Sequence, residues 1–216
     1  MTGKVVPFNP LDKKNLGASV AEALLTKDAH PLGELPTFEG AGIYAIYYSG
    51  AFKPYSKLAS LNADGKFLLP IYVGKAIPKG GRMGANLELP AGRVLQNRLK
   101  EHADSIKAAD NLKIEDFHCR FLVVDDIWIP LGESLIIARF TPLWNSLIDG
   151  FGNHDPGKGR QAGMRPRWDV LHPGRGWATR LAERQESQAQ IAQEAKTYLE
   201  VLPASLSAHF IKPEGA

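Results

Sequence analysis

Two tyrosines, an arginine, a histidine and a glutamate stand in this chain at positions from which they could share one site. Tyr44 belongs to Gly42-Ile43-Tyr44 and Tyr72 to Ile71-Tyr72-Val73-Gly74-Lys75. Both sit in runs of β-branched and aromatic residues bounded by Gly, Pro and Ser, the pattern of strands. Arg98 and His102 lie four apart in a segment of helical periodicity, so two hydrogen-bonding heads share a face. A guanidinium can clamp an oxyanion with paired donors, and an imidazole exchanges its proton closest to neutrality. A free phenol titrates at about 10, so a tyrosine needs acidifying neighbours before it can take a proton near neutral pH. Glu133 falls in the expected first turn of a later helix, where a carboxylate is favoured in its ionised form. Taken singly, each residue has a plainer reading as cross-strand packing, a solvated helix face or a helix-end charge.

The elements that must position these groups can be read from periodicity. Tyr44 lies in Ile43-Tyr44-Ala45-Ile46-Tyr47-Tyr48 and Tyr72 near the end of Leu68-Leu69-Pro70-Ile71-Tyr72-Val73, with turn-forming Ser49-Gly50, Lys53-Pro54 and Asp64-Gly65 between them. An antiparallel pair follows. Phe117, Cys119, Phe121 and Val123 alternate with their neighbours as a third strand. From Arg93, Val94, Leu95 and Leu99 form the apolar stripe of the helix that bears Arg98 and His102. Residues 131–140 predict a helix burying Leu135, Ile136 and Phe140, stopped by Pro142 and followed by Asn145. Leu16, Val20, Ala23 and Leu24 mark a short amphipathic helix before Pro31. Residues 180–201 predict a polar C-terminal helix with Leu181, Ile191, Ala195, Tyr198 and Leu199 as buried positions, a buttress or an oligomer contact. The expected fold class is α/β of the α+β kind, a small three-stranded antiparallel sheet flanked by helices.

A chain of 216 residues suffices for one well-packed core, so a single domain over 1–216 is expected. With 44% apolar and 23% charged residues the composition is that of a soluble globular protein, and no apolar run approaches a bilayer span. The first seven residues lack the apolar core of a secretory signal and Cys119 has no partner for an internal disulfide, so a cytoplasmic location is expected. One cysteine and six histidines without a pair at ligand spacing argue against a structural zinc site. The net charge of +3 excludes little, and its distribution matters more. Residues 149–180 lose regular periodicity and carry Lys158, Arg160, Arg165, Arg167, Arg175 and Arg180 against Asp149, Asp155 and Asp169, with Trp168 and Trp177 interleaved. Such a run suits a solvated face and nucleic-acid contact alike. A second Gly- and Pro-rich loop, opening at Ile77 and running to Gly92, contributes Lys79 and Arg82.

Two motifs inside the basic run mislead. Residues 152–158 have the spacing of a phosphate-binding loop, but Gly159 stands where Ser or Thr should meet magnesium, and no strand leads in. Asn153-His154 hints at a His-Asn-His nuclease without the second histidine that chemistry needs. A turn with Asx-type hydrogen bonds is the expectation there.

Gly42-Ile43-Tyr44, Tyr72-Val73-Gly74, Arg98 on a helix, Glu133 on a later helix and Asn145, in that order, resemble the GIY-YIG nuclease family over about residues 40–145. His102 one turn beyond Arg98, the loop Asp149-Gly150-Phe151-Gly152-Asn153-His154-Asp155-Pro156-Gly157 and Trp168-Asp169-Val170 extend the likeness to the type II restriction endonucleases of that family. The second motif has Val73 for isoleucine, and the tyrosines are further apart than in minimal members.

The resemblance implies metal-dependent hydrolysis of phosphodiester bonds in double-stranded DNA. Glu133 would hold a divalent ion, Mg2+, and Tyr44 would be the general base or would position water. Arg98 would clamp the scissile phosphate, His102 would orient or deprotonate Tyr44, and Tyr72 and Asn145 would complete the frame. Lys75, Lys79, Arg82, Arg93, Lys158, Arg160, Arg165, Arg167 and Arg175 are the expected DNA contacts, with base readout assigned to the loops around 79–93 and 158–175. A homodimer on a palindromic, GC-rich site is implied as well, with a cognate DNA methyltransferase as genetic partner. The competing readings are a repair or structure-specific nicking nuclease, for whose usual extra DNA-binding domain the chain has no room, and a non-catalytic DNA-binding module, which the intact residue set opposes.

Overall fold

The computed structural model describes residues 9, 11–78, 91–157 and 163–202. Lys79, Arg82, Lys158 and Arg160, expected as DNA contacts, lie outside the described residues. The molecule is built around strand β2 (Gly42–Tyr48), all seven of whose residues are buried. It pairs antiparallel with β3 (Tyr72–Ala76) on one side and β4 (Phe117–Val123) on the other. A two-residue strand β1 (His30–Pro31) adds to the far side of β4, giving the order β1-β4-β2-β3. The sheet therefore has four strands where three were expected. Two residues cannot display a period of two, and Pro31 is tolerated because β1 is an edge.

The connection between the two tyrosine strands is more than turns. It carries helix α2 (Ser56–Asn62), and the terminal Asn62 is buried. Asn62 Nδ2 donates to the carbonyls of Tyr48 and Leu69, both at 2.9 Å, while its Oδ1 accepts from Leu69 N at 2.9 Å. One amide thus satisfies three main-chain groups beside the sheet. It also holds Leu69 short of the ladder, so strand pairing begins at Tyr72 and not at Leu68.

Helix α1 (Lys13–Leu25) is capped by Asp12 and buries Gly17, Ala21 and Leu24, with Ala23 left exposed. It packs on α4 (Ile129–Phe140): a Cβ on Gly17 would meet Leu135, and one on Gly132 would meet Val20 and Ile43. Helix α4 begins two residues before its expected start, because Pro130 suits a first turn, and Glu133 accordingly sits in the second turn. The field of the helix N-terminus, which fades within the first turn, therefore does little for that carboxylate. Thr141 in left-handed conformation (φ 42°) ends α4, and α5 (Leu143–Ser146) follows Pro142. Helix α3 (Val94–Ala108) covers the opposite face of the sheet and buries Leu95, Leu99, His102 and Ile106. Helix α6 (Arg167–Leu171) interrupts the basic run, and α7 (Gln188–Glu200) packs against α6, α2 and α5 as a buttress. Residues 180–187 are not part of α7. Its start is fixed by a reciprocal capping box, Ser187 Oγ accepting from Gln190 N and Gln190 Oε1 from Ser187 N.

Candidate active site

Strand alternation sorts the chemical groups onto two sides of the sheet. Tyr44 and Tyr72 face α3, because Tyr72 opposes Ile46, two residues along from Tyr44. Lys75 opposes Ile43 and faces the side of α4, where Glu133 lies. The two sets are coupled electrostatically, since the Glu133 charge acts on both Tyr44 and Tyr72.

Gly74 opposes Tyr44, and a Cβ there would come within 2.4 Å of the Tyr44 hydroxyl and 3.0 Å of the Tyr72 ring. The glycine lets one phenol lie across the neighbouring strand. Tyr44 is fully buried, and its Oη is 2.6 Å from His102 Nε2. His102 is buried too, stacked on Phe151 with centroids 4.5 Å apart and 16° between planes, with the Tyr72 ring edge-on at 5.2 Å. Burial is the largest influence on Tyr44 and raises its pKa well above the ordinary value; Tyr72 and Glu133 raise it further, against the pull of Arg98. Burial first, then the charge of Arg98, hold His102 well below the ordinary histidine range. Both shifts favour the neutral forms, and with the imidazole proton on Nδ1 the Tyr44 hydroxyl donates to Nε2. Arg98 acts in the expected acidifying sense, but burial outweighs it.

Arg98 is partly covered, and both of its Nη atoms are engaged. Nη2 donates to Gly152 O at 2.8 Å; Nη1 lies 3.0 Å from Glu101 Oε2 and 2.6 Å from His154 Nε2. Glu133 Oε2 meets Lys75 Nζ at 2.5 Å, with the Glu133 side chain 16% exposed. Asn145 plays the part of a missing strand: Oδ1 accepts from Val73 N and Nδ2 donates to Val73 O, both at 2.8 Å, and Trp144 N reaches Ile71 O at 2.9 Å. The amide thereby fixes the main chain between Tyr72 and Gly74.

The basic run is sorted by burial. Arg175, expected to touch DNA, is 5% exposed and serves the fold. Nε and Nη2 grip Asp169 at 2.7 and 2.5 Å, Nη1 reaches the carbonyls of Phe151 and Asn153, Nη2 also takes Gly150 O, and the guanidinium lies 4.5 and 4.7 Å from the centres of Trp168 and Trp177. Burial raises the Asp169 carboxyl and Arg175 pulls it back. Arg165 donates to the carbonyls of Ala178 and Thr179, and Arg167 pairs with Glu194 on α7. These contacts turn both side chains inward. Lys75 is committed to Glu133, whereas Arg93 is exposed at the start of α3. The Asx turn expected in the loop is present, Gly157 N meeting Asp155 Oδ1 at 2.8 Å. Phe151, Gly152 and His154 belong to the loop that carried the likeness to the restriction endonucleases, but nothing local to that loop shows that it folds onto α3.

Among the described residues no three His, Cys, Asp or Glu side chains cluster as a metal cage. A largely buried single carboxylate does fit a hard divalent ion that completes its shell with water and phosphate oxygens. Glu133 is the residue that would hold it.

The family model of the Eco29kI GIY-YIG domain matches residues 36–199, a span that takes in all six residues of the motif set. The chain belongs to this restriction endonuclease GIY-YIG family. Among curated proteins none matches. As a GIY-YIG nuclease domain it is a DNA endonuclease. The match continues past Asn145 through the Arg175-pinned loop and α6 into α7. Among the described residues no helix is long and apolar enough to cross a membrane.

Proposed function

We propose that this nuclease is a type II restriction endonuclease that cuts both strands of a palindromic DNA site as a homodimer, with Mg2+ held by Glu133. The observation that carries the reading is the 2.6 Å contact between Tyr44 Oη and His102 Nε2, with Tyr72 and Arg98 gathered beside it. As water attacks phosphorus and the bond to the departing oxygen breaks, the water's proton passes to Tyr44 Oη while the phenol's own proton moves to His102 Nε2, where the imidazolium forms against burial and is offset by the negative charge growing on the phosphoryl group. No free phenolate is needed, which suits a tyrosine whose burial opposes ionisation. Tyr44 is closed to bulk solvent, so the attacking water enters with the substrate. Arg98 places positive charge against the phosphoryl oxygens, worth most at a water-excluded site. The ion, when bound, neutralises charge on the phosphoryl and departing oxygens. Lys75 keeps the Glu133 carboxylate oriented before the ion arrives. A twofold assembly follows from economy, since one catalytic set cuts one strand. A methyltransferase guarding the same sites is the expected genetic partner, and Arg93 is the exposed described candidate for DNA contact.

The test is plasmid cleavage with magnesium and sequencing of the ends. Discrete, reproducible ends support restriction; random nicks, or cuts confined to branched DNA, would replace it with a repair nuclease. Glu133→Gln keeps shape and removes charge, so cleavage should fall by about 10²-fold or more while metal-free DNA binding holds. A Glu133→Gln variant that cuts like the parent would end the metal assignment.

A further inference from the structure

The loop of residues 150–157 is fitted to the catalytic face at three successive points. The Phe151 ring lies on His102. Gly152 delivers its carbonyl to Arg98 Nη2, and a Cβ at Gly152 would stand 2.9 Å from the Tyr72 hydroxyl and 3.0 Å from that same nitrogen. His154 then closes to 2.6 Å on Arg98 Nη1. The loop does not depend on Arg98 for its shape, because Arg175 holds the carbonyls of Gly150, Phe151 and Asn153 from the other side.

The chemistry of the His154 contact is constrained. A guanidinium nitrogen offers only hydrogens, so His154 Nε2 must be the acceptor, with the ring neutral and its proton on Nδ1. Glu101 takes a hydrogen of the same Nη1 at 3.0 Å and lies 3.7 Å from the imidazole. An arginine left to its own rotamers loses considerable freedom when it docks on a phosphate, and acceptors that already hold its plane reduce that loss.

We infer that His154 is a positioning residue of this nuclease: with the Gly152 carbonyl it sets the plane of the Arg98 guanidinium beside the Tyr44–His102 pair. The inference rests on the reading of Arg98 as the phosphate-holding group. His154 touches Arg98 and Glu101, so it acts on the reaction through Arg98.

Single-turnover plasmid cleavage with magnesium and metal-free DNA binding, measured on the full chain, test it. His154→Ala should slow cleavage about tenfold, the scale of one lost hydrogen bond to a charged group. Its DNA affinity should stay within about twofold of the parent. His154→Gln, whose Oε1 can accept from Nη1, should recover most of the rate. Unchanged cleavage in His154→Ala, or a Gln variant no better than Ala, overturns the inference. So does a loss confined to affinity, the mark of a direct phosphate contact, and so does faster cleavage, the mark of a restraint. Arg98→Ala is run alongside. If it cuts like the parent, the reading of Arg98 fails; if it is inactive while His154→Ala is normal, only the role of His154 fails.

Discussion

Two arginines grip the same loop from opposite sides, and they have little else in common. Arg98 holds Gly152 O from the rim of the site, with 22% of its side chain exposed and further contacts to the surface groups Glu101 and His154. Arg175 holds Gly150, Phe151 and Asn153 from within, with 4% of its side chain exposed and a bidentate carboxylate behind it. Contacts at the rim are open to solvent, so a phosphate can join them. Those within cannot be surrendered without uncovering a buried carboxylate and several carbonyls. The same residue type thus supplies an adjustable donor in one place and a fixed frame in the other, and burial decides which.

Arg175→Ala breaks the contrast most severely. Removing one partner of a buried, hydrogen-bonded pair should cost about 3–5 kcal/mol, read as a lower urea midpoint. A loss under about 1 kcal/mol, the surface-pair scale, would put Arg175 in the same class as Arg98. Arg98→Lys should do the reverse. Cleavage should drop by about 10²-fold, because a point charge cannot reproduce the paired donors, while the melting temperature stays close to the parent's; equal losses in both measurements would erase the distinction.

Acid should weaken the inner region by a separate route. His172 is buried on the far side of α6, with Tyr55 Oη at 2.7 Å from Nε2 and Asn111 Oδ1 at 2.8 Å from Nδ1, and burial pulls its pKa down to about 3. The folded value lies below the unfolded one, so its contribution is whole above about pH 6.5 and is lost as pH falls toward 3. Unfolding free energy should decline by on the order of 1 kcal/mol per pH unit across that window. In His172→Gln the slope should flatten; an unchanged slope would assign it elsewhere, His102 and His118 being the other depressed histidines. The smallest effect is expected from Gly152→Ala, whose added methyl meets the movable ends of Tyr72 and Arg98 and no backbone. Stability should change by less than about 1 kcal/mol while cleavage slows several-fold, and a large stability loss would mean that the loop carries more of the fold than its contacts suggest.

Much of this arrangement was legible in the chain. The tyrosine strands, the helix that pairs Arg98 with His102, the third strand and the helix bearing Glu133 all follow from periodicity, and Ser187 with Gln190 spelled a helix start that a purely compositional reading of residues 180–201 passed over. What stayed hidden depends on partners far away in sequence. Nothing near Arg175 announces that it will be buried against Asp169 and two tryptophans, and in a Gly-rich basic run it looks the same as an arginine bound for DNA. Nor does Tyr44 reveal its depth, which decides whether its neighbours can acidify it. Lys75 presented the same ambiguity until its register against Ile43 turned it toward Glu133.

The Asn145 clasp has a consequence for how copies of this protein can meet. An outermost strand with open amides and carbonyls invites a second sheet to add to it. On β3 the Val73 amide and carbonyl are both taken by one side chain, and the carbonyl of Ile71 just before it is taken by the backbone of α5. Two molecules joining edge to edge through β3 would have to unseat Asn145 and Trp144, and with them the strand that carries Tyr72 and Gly74. The catalytic strand is therefore insulated from sheet extension by the residue that shapes it, and self-association through that edge would come at the expense of the site itself.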